Sequence, residues 1–336
     1  MILVTGGTGL VGSHLLLKLI QQEENVRALK RASSDLSKVK QVFKYYLTDG
    51  QAEELFKKIE WFEADILNIP QLTLAFIGIT KVYHCAAHIS FDPSDEKKLR
   101  KVNIEGTANI VNFCIQKNIK KICHVSSIAA LGENPGNLVI DENAKWNPEG
   151  HHNDYAISKY GAEIEVWRAT QEGLQAIIVN PGVIIGPGFW DDGSGTIFRR
   201  IDQGLKYHFP KITGFVGVND VVAGMISLMN SEIKNENFVL ISENLSFKTI
   251  FDLTAESLQK KKPKQELQKW MISMGWIFQK IGSWFGGKRQ ITRESIYGLF
   301  KEERYSSVKI EDQLNFKFQP VKEVIEETTE FYKADH

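Results

Sequence analysis

The first twenty residues, MILVTGGTGLVGSHLLLKLI, constrain the fold more than any other stretch. Positions 2–5 are uncharged, mostly aliphatic residues and read as a buried strand. Glycines at 6, 7, 9 and 12 follow, and apolar residues then recur at helical spacing over 10–22. The rhythm continues along the chain. Strand-like runs stand at 25–29 (NVRAL), 58–64 (KIEWFEA), 81–86 (KVYHCA), 120–126 (KKICHVS) and 174–180 (LQAIIVN). Helical patterns at 97–117 and 154–172 lie between them. Strands alternating with helices require right-handed crossovers, so the spacing predicts an α/β fold, a doubly wound parallel sheet with helices on both faces.

After Asn180 the rhythm breaks. PGVIIGPGFWDDGSG is rich in glycine and proline and reads as loop. FVLIS at 238–242 reads as one more strand, and from about 246 onward the pattern is almost wholly helical. The division predicted is a Rossmann core over 1–180 and a smaller, mostly helical C-terminal substrate lobe over 181–336, with about 215–245 returning to the core.

The chain of 336 residues carries no formal net charge, which gives no electrostatic case for nucleic-acid binding. Cys85, Cys114 and Cys123 make no C-x-x-C pair and read as reduced thiols of a cytoplasmic protein. No apolar run approaches the roughly 18 residues a membrane span needs. No secretory leader is expected at the N-terminus.

Thr5–Gly12 (TGGTGLVG) fits G-x-G-x-x-G through Gly7, Gly9 and Gly12, and G-x-x-G-x-x-G through Gly6, Gly9 and Gly12. Such glycines let a backbone approach a pyrophosphate, and the helix N-terminus then supplies free N–H groups. The expected cofactor contacts here are Gly6, Thr8, Gly9, Leu10, Val11 and Gly12. At the end of the second strand, where a NAD site places an acid for the ribose 2′-hydroxyl, stand Lys30 and Arg31. Two cations suit a 2′-phosphate, so NADP(H) is expected in preference to NAD(H).

Tyr-x-x-x-Lys occurs four times, at Tyr155, Tyr207, Tyr297 and Tyr305. Pro210 argues against a helix at Tyr207, and the last two fall in the C-terminal lobe. Only Tyr155 follows a serine-bearing strand end and begins a helix, which puts Lys159 on its own face. A free phenol has a pKa of about 10, and a neighbouring ammonium is expected to lower it. Ser127, at the carboxyl end of the fifth strand, is placed to hydrogen-bond a substrate oxygen.

TGGTGLVG, ADI (64–66), YHCAA (83–87), VNIEGTAN (102–109), VSSIAALG (125–132), YAISK (155–159) and NPGVIIGPG (180–188) stand in the order found in extended short-chain dehydrogenase/reductases. The chain resembles that family, the NAD-dependent epimerase/dehydratase family. Within it the chain looks most like the branch of dihydroflavonol reductases and 3β-hydroxysteroid dehydrogenases. The resemblance implies Tyr155 as general acid/base, Lys159 as its partner, Ser127 as the catalytic serine and Asn103 as a brace for the active-site helix. It implies Asp65, with Ile66, near the adenine, Ala86 and Ala87 along the ribose and nicotinamide channel, and Pro181, Gly182 and Val183 near the nicotinamide. The function expected is an oxidoreductase interconverting a carbonyl and an alcohol. Sugar dehydratases carry an acidic pair after the serine position, where this chain has Ile128 and Ala129. A nucleotide-sugar epimerase holding NAD, and a non-enzymatic NADP sensor, are the alternatives.

Substrate contacts are expected from His88, Ser90, Phe91 and Asp92, from Ser127, Leu131 and Glu133, and from Phe189, Trp190 and Phe198. The aromatics suggest a small apolar or aromatic substrate. His151 and His152 have no metal-ligand spacing, and no metal is expected. Asp220 is expected to cap a helix. Residues 267–289 repeat apolar residues at helical spacing among lysines. A core helix, a lid, a homodimer contact and a peripheral membrane contact all fit that pattern.

Overall fold

The computed structural model describes residues 1–133, 139–268, 271 and 298–336. Its strands are β1 (Ile2–Thr5), β2 (Val26–Lys30), β3 (Glu60–Glu63), β4 (Lys81–His84), β5 (Lys121–Val125), β6 (Val139–Ile140) and β7 (Gln175–Pro181). There follow β8 (Val183–Ile185), β9 (Tyr207–His208), β10 (Ile212–Gly217), β11 (Glu236–Leu240), β12 (Glu243–Ser246), β13 (Gln265–Glu266) and β14 (Arg304–Tyr305). Seven of them form one parallel sheet in the order β11-β7-β5-β4-β1-β2-β3. The chain leaves β1 toward β2 on one side and resumes at β4 on the other, so a crevice opens between the carboxyl ends of β1 and β4.

Central strands are apolar on both faces because both are covered. On one face Leu15, Leu16 and Leu19 of helix Leu10–Gln21 pack with Val39, Phe43 and Met225 from helices Ser37–Tyr46 and Val218–Asn230. On the other, Leu72, Ile110, Val111 and Val166 come from helices Ile69–Ala75, Gly106–Gln116 and Asp154–Gln171. β11 joins the sheet edge beside β7.

The second lobe is not only helical. β8, β10 and β12 form a three-stranded sheet, and β8 lies within the stretch read above as loop. Val183, Ile184 and Ile185 are β-branched and pair with Phe215, Val216 and Gly217, so a non-local partner overrides the glycine and proline around them. Phe198, Phe215, Ile250, Phe251, Val324 and Tyr332 fill the lobe core.

Other expectations also change. The helix expected over 97–117 is broken: Glu96–Leu99 is α, Arg100–Glu105 is a π-helical turn, and Gly106–Gln116 is α again. Gly217, not Asp220, caps helix Val218–Asn230. The Asp220 carboxylate instead accepts the Gln319 N–H at 2.9 Å, tying down the C-terminal segment. Tyr207 lies in β9 and Tyr305 in β14, so neither begins a helix. Tyr297 and nearly all of the segment 267–289 lie outside the described residues. Among the described residues no helix is long and apolar enough to cross a membrane. All three cysteines are free.

Candidate active site

The glycine loop resolves the choice between the two motif registers. Gly6 has φ +69°, and a Cβ there would stand 2.5 Å from the Ala86 nitrogen. A Cβ on Gly12 would stand 2.1 Å from the Gly6 carbonyl oxygen. A Cβ on Gly7 would meet side chains rather than backbone, Leu16 at 3.0 Å and Ala28 at 3.3 Å. Gly6 and Gly12 are therefore the glycines the backbone requires, which favours the Gly6-Gly9-Gly12 register. The Gly9 N–H bonds the Gly6 carbonyl at 3.1 Å, and no side chain caps the helix that follows. Its first N–H groups, on Leu10 and Val11, thus stay available for an anion at the switch between β1 and β4. This cradle fits a dinucleotide.

Lys30 ends β2 and pairs with Glu63 of β3 at 3.4 Å, while Arg31 is exposed just beyond it. Asp65 is exposed, and its carboxylate accepts the Leu67 N–H at 2.9 Å. Ile66 is buried behind it. Ala86 donates its N–H to the Thr5 hydroxyl at 3.2 Å, and Ala87 is exposed beside it. Pro181, Gly182 and Val183 lead from β7 into β8 on the same edge of the sheet.

Asn153 caps the helix Asp154–Gln171 by accepting the Ala156 N–H at 2.8 Å, which starts the helix one residue before Tyr155. The half-buried Tyr155 phenol is hydrogen-bonded to Ser127. The Ser127 side-chain oxygen also accepts the Ala129 N–H, at 3.1 Å. Lys159 is buried, and its Nζ donates to the Val125 carbonyl at 2.8 Å. Burial pulls the Lys159 ammonium down to about 8, against the opposing pull of Glu163 and Cys85.

The structure differs from the electrostatic expectation here. Burial pushes the Tyr155 phenol up from its ordinary value, and the hydrogen bond from Ser127 only partly offsets this. Desolvation of the phenolate is the dominant effect, and the Lys159 ammonium is directed at a backbone carbonyl. In the protein itself Tyr155 therefore keeps its proton at neutral pH.

Asn103 sits in the π-helical turn and ties two segments together. Its Oδ1 accepts the His88 N–H at 2.7 Å, and its Nδ2 donates to the His88 carbonyl at 3.0 Å and to the Ser158 hydroxyl at 2.9 Å. Ser158 in turn donates to the Tyr155 carbonyl at 2.8 Å. The bracket continues inward, since Thr107 Oγ1 donates to the Asn103 carbonyl at 2.6 Å and lies 2.9 Å from His84 Nε2. His84 Nδ1 lies 2.6 Å from the Thr5 hydroxyl at the end of β1. A continuous polar chain thus joins the glycine-loop strand to the helix of Tyr155.

The sequence reading missed several of these groups: Thr5, His84, Ser158, Glu163 and Asn180. Thr5, His84, Ser158 and Asn180 lie within the motifs quoted above without a role of their own, and Glu163 is marked only by spacing, because Tyr155, Lys159 and Glu163 follow one another at intervals of four on a helix.

Of the residues expected to touch substrate, Phe91 stands at the site. It is 61% exposed, and its ring centroid is 5.5 Å from that of Tyr155. Ile89 is equally exposed beside it, at 61%. His88 lies 3.5 Å from Asp95, and Asp92 turns its carboxylate back onto Ser94, as a cap does. The surroundings of Phe189 and Trp190 differ from those of Phe91. Both are buried, and Trp190 Nε1 donates to Asp335 at 2.7 Å while its ring packs on Phe198 and Tyr332. Trp190 packs in the lobe core with its indole N–H satisfied, and the Lys38 ammonium stands over the buried ring of Phe189, 5.9 Å from its centroid.

This is the architecture of an enzyme that acts on CH–OH groups with a nicotinamide dinucleotide. The model of the NAD dependent epimerase/dehydratase family matches residues 2–240, and the chain belongs to that family. It is 28% identical to a putative dihydroflavonol 4-reductase of Synechocystis sp., over 98% of this chain and 94% of the relative. It is 30% identical to a putative UDP-glucose 4-epimerase of Methanocaldococcus jannaschii, over 75% of this chain and 81% of that one. Among solved structures it is similar to the crystal structure of gox2253, with TM-score 0.82 and 26% identity over 100% of this chain and 98% of that one.

Proposed function

We propose that the protein is an NADP(H)-dependent reductase that interconverts a carbonyl and an alcohol on a small apolar or aromatic substrate. The observation that carries this reading is the pairing of a protonated Tyr155, hydrogen-bonded to Ser127, with the exposed ring of Phe91. When bound, the nicotinamide supplies a hydride for the carbonyl carbon. Tyr155 gives its proton to the carbonyl oxygen, which Ser127 holds by hydrogen bond. Lys159 stabilises the phenolate left behind until solvent returns the proton. Pro181, Gly182 and Val183, with Ala86 and Ala87, would line the reacting end of the cofactor, and Asp65 and Ile66 would hold its adenine. Residues 1–180, with about 215–245 returning to the same core, would supply most of the cofactor site, Pro181, Gly182 and Val183 would close its reacting end, and the C-terminal lobe would cover the substrate.

Arg31 supports NADP(H) over NAD(H), because an exposed guanidinium just past β2 is placed for a 2′-phosphate. Lys30 contributes less while Glu63 pairs with it. The Methanocaldococcus relative favours one other reading, a nucleotide-sugar epimerase with retained NAD. Ile89 and Phe91 weigh against it, since a sugar ring offers little apolar surface to two exposed hydrophobic side chains.

The test is a cofactor-oxidation screen of the purified protein with NADPH over ketones, aldehydes, steroids, flavonoids and UDP-glucose. The expected result is net NADPH consumption with apolar carbonyl compounds. Interconversion of the sugar nucleotide without net consumption would contradict the proposal.

A further inference from the structure

Glu163 is a carboxylate in an unusual place. It lies one helical turn beyond Lys159 on the face that carries Tyr155, and it is only 5% exposed. Buried carboxylates persist only when something compensates them. Oε1 accepts Asn180 Nδ2 at 2.6 Å. The same Nδ2 donates to the carbonyl of Ser127 at 3.0 Å, so Asn180 links Glu163 to the backbone of the catalytic serine. A glutamine at 163 would serve Asn180 equally well as an acceptor. What only a glutamate adds is charge, and the nearby cation is Lys159, whose own hydrogen bond goes to Val125.

We propose that Glu163 is a positioning residue that holds Lys159 in its cationic form and, through Asn180, fixes the backbone of Ser127. The proposal rests on the reading of Lys159 as the partner of Tyr155. The groups facing Lys159 from the packed elements are Cys85 and His84 at the end of β4, His124 in β5, and Tyr155 and Glu163 on its own helix. Cys85, His84 and His124 are kept neutral by burial. Burial pushes the Glu163 carboxyl up to about 7, against Ser126, Asn180 and Lys159, so Glu163 is the group that carries negative charge in the range where Lys159 titrates, at about 8. A carboxylate one helical turn from a buried cation on the same face is expected to shift it by about one pH unit.

Competitive acetylation of the intact protein with acetic anhydride, read by mass spectrometry of the peptide containing Lys159, follows the amine's titration without any substrate. In Glu163→Gln the labelling midpoint should fall by about one pH unit, and in Glu163→Asp it should stay near that of the wild type. An unmoved midpoint in Glu163→Gln overturns the proposal, because a purely structural glutamate would leave Lys159 where it is. Should that variant not fold, Lys159→Met reads the coupling from the other side. The infrared band of a protonated carboxyl, assigned to glutamate by its isotope shift in protein carrying 13C-labelled glutamate and to residue 163 by loss of that isotope shift in Lys159→Met/Glu163→Asp, should then strengthen at neutral pH, and an unchanged band overturns the proposal. Turnover by Tyr155→Phe is a separate measurement. If it stays at the wild-type level, the reading of Tyr155 and Lys159 fails while the titration still reports on Glu163.

Discussion

The ring of Phe91 lies 5.5 Å from the ring of Tyr155, centroid to centroid, with most of its own surface open to solvent. An exposed aromatic beside a proton donor gains stability only when something apolar covers it, and covering a phenyl ring is worth about 1.5–3 kcal/mol. Phe91→Ser should therefore reduce kcat/KM for an apolar carbonyl substrate by about tenfold to a hundredfold, mostly through KM. Steady-state kinetics check this. An unchanged KM would remove Phe91 from the substrate site.

Asn103 makes three side-chain hydrogen bonds, to the backbone N–H and carbonyl of His88 and to the Ser158 hydroxyl. Asn103→Ala leaves the His88 N–H and carbonyl and the Ser158 hydroxyl without that partner. The expected loss is about 2–3 kcal/mol, read as a lower denaturation midpoint at an unchanged m-value. Asn103→Asp keeps the acceptor for His88 and should lose less. Equal stability of all three proteins would show that the bracket is idle.

Cofactor choice turns on Arg31. Arg31→Ala should weaken NADP binding by about tenfold while leaving NAD binding nearly unchanged. Glu63→Gln releases Lys30 from its ion pair and should tighten NADP. Titrating both cofactors against each variant decides this, and an unaltered NADP-to-NAD ratio in Arg31→Ala would contradict the assignment.

Much of this was legible in advance. The glycine loop, every strand of the main sheet and the helix start at Tyr155 follow from apolar runs and spacing, because local pattern and tertiary role agree there. The departures occur where a non-local partner decided. β8 forms inside a glycine- and proline-rich stretch because β10 is available to pair with it. The π-helical turn at Arg100–Glu105 has no compositional mark, yet it carries Asn103. Trp190 and Phe91 look alike in sequence, and only packing sends one into the lobe core and the other to the site. The rise in the Tyr155 pKa was hidden because burial is not visible in a spacing of four residues.

Three buried histidines should make the fold acid-sensitive. Burial lowers His14 to about 4 and His84 to about 3, and it pulls His124 well below 6.5. Both ring nitrogens of His124 lack a hydrogen-bond partner among the described residues. These groups stay neutral when folded but take up protons when unfolded, so the unfolded state binds more protons below about 6.5. Stability contributed by the neutral rings is complete above that pH. It is lost as pH falls from about 6.5 toward the folded-state values, at up to about 1.4 kcal/mol per pH unit for each histidine. Chemical denaturation at several pH values should show this slope. His124→Phe should flatten it by about one proton's share, and an equal slope in both proteins would show that His124 is not held neutral.

Carbonyl reduction at this site requires the phenol of Tyr155 as the proton donor. Turnover of NADPH by Tyr155→Phe, measured beside its affinity for NADPH and with an active carbonyl substrate from the screen, tests it most directly. The expected result is a fall in kcat of about 10²–10⁴-fold with NADPH affinity within about twofold of the wild type. Wild-type turnover in that variant would contradict the account.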